Sequence, residues 1–129
     1  MKKSRLAIIT MAIALGIVGV TALPAAASNA HVTVPSNYVY NPDGPHKTLH
    51  DYCSYSPDSY GSANFRGPCA RHDMCIQYAQ KARSGCDSDL FSNMKQECRY
   101  AYGFPYVTRG KCYAVAATYY AVVSVKTHL

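Results

Sequence analysis

The chain has 129 residues, with thirteen Lys plus Arg against seven Asp plus Glu, six cysteines, twelve tyrosines and no tryptophan. Once the leader described next is removed, about a hundred residues remain, which suits one small domain. Lys2, Lys3 and Arg5 leave with it, and the remaining excess of +3 is too small to argue for nucleic acid but enough to favour an anionic surface.

The leader opens the chain. Met1-Lys2-Lys3-Ser4-Arg5 is basic, Leu6 to Val20 is apolar, and Pro24-Ala25-Ala26-Ala27-Ser28-Asn29-Ala30 is a small-residue exit. That order predicts a signal peptide over residues 1–27, with a cut as late as residue 30 left open. Gly16 and Gly19 within the run, and the small-residue exit, argue against a retained anchor. The expected location is secreted and extracellular. All six cysteines follow the leader, and an even count in a short exported chain reads as disulfides rather than metal thiolates. A domain this small buries a limited core, so cross-links are expected to supply much of its stability.

In the domain at residues 31–129, His31 to Pro45 alternates without a helical period, and Pro35, Pro42 and Pro45 exclude a regular central strand. Lys47 to Cys53 reads as one or two helical turns, and Tyr55 to Pro68, rich in Ser, Pro, Gly and Asn, as a loop. A first helix is predicted from Pro68, because Cys69, His72, Cys75, Ile76 and Ala79 recur three and four apart. Ser84-Gly85 reads as its stop. A second helix places Asp87, Leu90, Phe91, Met94 and Cys98 on one stripe and turns Asn93, Lys95, Gln96 and Arg99 elsewhere. Tyr102 to Gly110 reads as a loop. Val115 to Val125 is a buried terminal helix or strand, its alanines and the Tyr119-Tyr120 pair favouring helix. The expected fold class is mainly α, a small disulfide-linked domain in which two antiparallel helices carry the chemistry.

That chemistry centres on Cys69-Ala70-Arg71-His72-Asp73-Met74-Cys75. Neighbouring side chains on a helix diverge by roughly 100°, so His72 and Asp73 cannot serve each other. Asp87 is the best partner for His72: a carboxylate on one imidazole nitrogen fixes the tautomer while the other nitrogen takes a proton from water. Asp73 would point toward the loop carrying Asp51. Those two carboxylates, with a carbonyl such as that of Tyr52, make a calcium site, since calcium wants several oxygen ligands in irregular geometry. Zinc fits worse, because His72 has no second histidine at ligand spacing. Each residue has a plainer use: His72 as a core histidine bonded to a backbone carbonyl, Asp87 or Asp89 as a helix N-cap, Asp51 as a surface acid. Lys81, Arg83, Lys95 and Arg99 suit a solvated helix face or a phospholipid surface, and the tyrosines a small core or a membrane interface.

Cys69-Ala70-Arg71-His72-Asp73, Cys86-Asp87, Phe91, Met94 and Cys98 resemble the secreted phospholipases A2 of the small bacterial and fungal type, over roughly Leu49 to Val123. The Cys-x-x-His-Asp core followed by Cys-Asp and a Met seven residues later is the specific part; His-Asp alone is not, as His50-Asp51 shows. The resemblance implies that His72 is the base and Asp87 its partner on an antiparallel helix. It also implies that Asp73, Asp51 and the Tyr52 carbonyl bind Ca2+, and that the sn-2 ester of a phospholipid is cleaved at a membrane or micelle surface by a monomer. The family often has Leu or Gly-rich sequence around the calcium loop, where this chain has Tyr52. Together with the dyad geometry, the resemblance further implies bridges Cys53–Cys69, Cys75–Cys86 and Cys98–Cys112. A first helix running unbroken to Arg83 would end about 15 Å from His72, and a Cys75–Cys86 bridge would instead turn the chain back near Tyr78 to Gln80, with Lys81 to Gly85 as the return. The rival reading is a phospholipase-like binding protein or toxin without turnover.

Overall fold

The computed structural model describes residues 30–127, so the predicted signal peptide lies outside the described residues. Among the described residues the fold is mainly α. Helices α1 (Arg66–Gln77), α2 (Arg83–Ala101) and α3 (Val107–Thr127) follow a 3-10 turn at Lys47–Leu49 and a hairpin of β1 (Ser59–Tyr60) and β2 (Ala63–Asn64). Residues 30–46 form an irregular arm, as their prolines require.

The segment from Tyr55 to Pro68, expected to be a loop, instead contains the hairpin, with Ser59 opposite Asn64 and Tyr60 opposite Ala63. Two-residue strands are too short to show an alternating pattern. Gly61 turns the hairpin at a φ of 56°, and its missing side chain leaves room for the Tyr102 hydroxyl. That hydroxyl accepts from the Ser62 N–H at 2.8 Å and donates to the Tyr60 carbonyl at 2.9 Å, fixing the hairpin to the end of α2.

Helix α1 starts at Arg66, two residues ahead of the expected Pro68. Pro68 still lies in the first turn, where a missing N–H costs nothing, and Asn64 Oδ1 takes the Arg66 N–H at 2.9 Å. The helix ends at Gln77, with Ala79 left-handed at φ 50° and the Gln80 N–H bonded back to the Cys75 carbonyl at 3.0 Å. Glycine usually takes that position. Here alanine does, and the chain turns back near Tyr78 to Gln80 as the Cys75–Cys86 bridge implied, not at Ser84-Gly85, which belong to the first turn of α2.

Helix α2 returns antiparallel to α1, as the pairs Cys75–Cys86 and His72–Asp87 show. Asp87 lies inside α2, whose N-cap is Ala82, so neither it nor Asp89 is a cap. Arg109 closes the other end, its guanidinium donating to the carbonyls of Tyr102 at 2.7 Å and Arg99 at 3.3 Å. The loop to α3 is shorter than expected, because Val107 and Gly110 are already helical, and Val115 to Val125 is helix throughout. The bridges are Cys53–Cys69, Cys75–Cys86 and Cys98–Cys112, with Cα separations of 5.1, 5.8 and 5.7 Å. Phe65, Leu90, Met94, Ala116 and Tyr119 form one core cluster with the first and third of these bridges, Phe65 lying edge-on to Tyr119 at 5.3 Å.

Candidate active site

Helix geometry separates His72 and Asp73 as their adjacency requires. His72 Nε2 lies 2.7 Å from Asp87 Oδ1, with the two side chains 9% and 1% exposed. This buried pair joins α1 to α2 one turn from the Cys75–Cys86 bridge, which holds the two helix ends together. Lys81 is taken by Asp89 at 2.6 Å, an exposed pair that leaves Asp87 to His72.

Asp73 turns toward the arm. Its Oδ2 accepts from the Tyr38 hydroxyl at 2.6 Å, and the same hydroxyl accepts from the Tyr52 N–H at 2.9 Å. Burial pushes the Asp73 carboxyl up to about 8, and the nearby charge of Asp51 adds to that, while the Tyr38 donor opposes it. Burial and the Asp73 carboxylate likewise raise the Tyr38 phenol well above its ordinary value. Asp51 accepts from Ser54 Oγ at 2.6 Å. Tyr52 is left-handed at φ 60°, and its ring stacks with those of Tyr38 at 5.3 Å and Tyr40 at 4.6 Å.

His72, Asp73 and Tyr52 line a cleft of about 290 Å³ whose walls include Leu49, Ile76, Leu90 and Val123, with Arg83 and Lys126 also on its lining. A second cleft on which His72 borders is polar, carrying Asn37, Arg71, Gln80 and Asp89. An apolar ligand with an anionic group therefore suits the first. Among the described residues, no three His, Cys, Asp or Glu side chains converge as a metal cluster. No helix among them is long and apolar enough to cross a membrane.

Two groups, one half-buried and one buried, escaped the sequence reading. Tyr38 sat in a segment with no period to mark it. Glu97 is 1% exposed and takes His31 Nδ1 at 2.8 Å and the Val32 N–H at 2.6 Å, tying the arm to α2. A signal for Glu97 did exist, since it follows Met94 by three on the apolar stripe.

The fold and site thus define a small, disulfide-linked, mainly helical domain with a buried His/Asp pair beside a cleft of mixed apolar and polar lining. Compared with protein-family models, curated proteins and solved structures, the chain matches none.

Proposed function

We propose that this chain is a secreted, calcium-dependent phospholipase A2 that hydrolyses the sn-2 ester of phospholipids. The observation that carries the reading is the His72–Asp87 contact of 2.7 Å at the wall of a cleft that also carries Leu49, Ile76, Leu90 and Val123. With its proton on Nε2 and directed to Asp87, His72 has Nδ1 left to act as a base. As a water oxygen attacks the ester carbonyl carbon, Nδ1 takes the water proton. The bond from the acyl carbon to the glycerol oxygen then breaks, and His72 returns the proton to the departing alkoxide. Asp87 stabilises the imidazolium between the two steps. The products are a fatty acid and a lysophospholipid.

Asp73, Asp51 and the Tyr52 carbonyl would hold the calcium. Their chemistry fits it: Asp73 is a buried carboxylate destabilised by desolvation and by a second acid, and a hard divalent cation relieves both. Two carboxylates leave places for carbonyl and water oxygens, which calcium accepts readily. A calcium ion held there would supply positive charge opposite the substrate phosphate and the ester carbonyl oxygen.

Fatty-acid release from defined phospholipid vesicles, with calcium and with a chelator, tests the proposal. Release that the chelator abolishes is expected. No release above the blank would favour the binding-protein alternative, and release indifferent to chelator would favour a metal-independent ester hydrolase.

A further inference from the structure

We infer that Tyr38 is a positioning residue for the cation site, and that the arm at residues 30–46 supplies the wall on which Asp73 and the Tyr52 loop are aligned. The inference rests on the calcium reading above and adds to it a residue from outside the resembling segment.

The hydroxyl of Tyr38 does two things at once. It donates to Asp73 Oδ2 at 2.6 Å, and it accepts from the Tyr52 main-chain N–H at 2.9 Å. Asp73 is on α1 and Tyr52 on the loop ahead of the hairpin, so one oxygen spans the two elements from which the proposed ligands come. A single bridging group fixes both the rotamer of the carboxylate and the plane of the peptide preceding Tyr52.

The rings add a second, independent constraint. Tyr52 stacks with Tyr38 at an interplanar angle of 22° and with Tyr40 at 20°, and the Arg66 guanidinium lies 5.6 Å from the Tyr52 ring centroid. This explains why a tyrosine is accommodated at position 52: its backbone serves the loop while its side chain fastens the loop to the arm. Tyr52 holds a left-handed backbone without glycine, at φ 60°, and such a conformation persists where the surroundings over-determine it.

The arm is itself anchored. Glu97, buried on α2, takes the Val32 N–H, and Arg71 on α1 donates to the Thr33 carbonyl at 2.9 Å. A Cβ at Gly67 would run into the Val32 carbonyl, so the arm passes flush against the start of α1. Tyr38 thus reaches Asp73 from a seated strap.

Partners that orient metal ligands without touching the metal typically change affinity about 10–100-fold when removed. The test is Tyr38→Phe, which keeps the ring and deletes the oxygen. Calcium calorimetry on the metal-free protein should show affinity weakened about tenfold. The calcium midpoint for fatty-acid release should move by the same factor, while turnover at saturating calcium stays near that of the parent. A merely structural role would lower the amplitude and leave the midpoint alone. Parent-like affinity in Tyr38→Phe, with the parent binding calcium, overturns this inference and spares the calcium reading. A parent that binds no calcium overturns both. Should Tyr38→Phe fail to fold, NMR of the parent decides: the Tyr38 ring signals should shift in step with calcium occupancy, and unmoved signals would overturn the inference.

Discussion

In the proposed reaction His72 takes a proton from water and returns it to the leaving alkoxide, while Asp87 holds its other nitrogen at 2.7 Å. Glutamine at 72 can still donate to Asp87 but cannot accept a proton at neutral pH. His72→Gln should therefore lose about 10²–10⁴-fold in turnover, with calcium calorimetry and the circular dichroism spectrum unchanged; fatty-acid release on vesicles measures it. Asp73 has a pH signature of its own. Its carboxyl titrates near 8 in the fold and at 3.8 in an unfolded chain. Between those values the native state holds a proton that the unfolded state has lost, so the contribution is full below the lower value and fades as pH rises through the higher one. The thermal midpoint of the metal-free protein should therefore carry a component that falls from pH 5 to pH 8, and Asp73→Asn should flatten it. The dyad was legible in the sequence because its two members sit on helical stripes marked by cysteines. Tyr38 was not, because an irregular arm has no period from which to infer what a side chain faces.

At the scale of elements, the two site helices pack on one another and are also pinned by a bridge where the chain turns back. Cys75 and Cys86 lie 5.8 Å apart at their Cα atoms, and the His72–Asp87 contact follows one turn later. Replacing both cysteines with alanine should free the return at 78–82 and misplace Asp87. A displacement of about an ångström can cost about 10²-fold in rate, so turnover should fall far more than helical circular dichroism does. Glu97 does for the arm what the bridge does for the helices. Glu97→Ala would leave the buried Val32 N–H without its acceptor and should cost about 1–3 kcal/mol, read from the urea midpoint. The existence and order of α1 and α2 were legible from apolar spacing. Spacing alone did not give their boundaries, although the expected Cys75–Cys86 bridge put the turn-back near Tyr78 to Gln80: Ala79 adopts a backbone that glycine would have advertised, and Gly85, which did advertise a stop, is tolerated in a first turn where Lys81 packs close to it. The hairpin was missed because two residues cannot alternate, and the true start of α3 because Gly110 sits inside a helix.

Across the whole molecule, charge is unevenly divided along the chain. All seven acids fall between Asp43 and Glu97, and Arg99, Arg109, Lys111 and Lys126 follow with no acid among them. Phe104, Tyr106 and Val107 are exposed in that same stretch. Basic residues near an anionic membrane contribute about 1 kcal/mol each and lose it in salt. Vesicles containing anionic lipid should therefore be hydrolysed faster than neutral ones, with the advantage shrinking as ionic strength rises; short-chain lipid below its micellar concentration should show little salt effect. The covalent plan divides the molecule in another way. The bridges close rings over residues 53–69, 75–86 and 98–112, which leaves the arm outside every one of them. Peptide cleavage near the turn at 41–46 would cut no ring and open no helix. It would nonetheless sever the covalent link between Tyr38 and the Tyr52 loop, leaving the arm held by its contacts, those at Val32 and Thr33 among them, so that a nick should loosen the proposed cation site while the cross-linked helices remained.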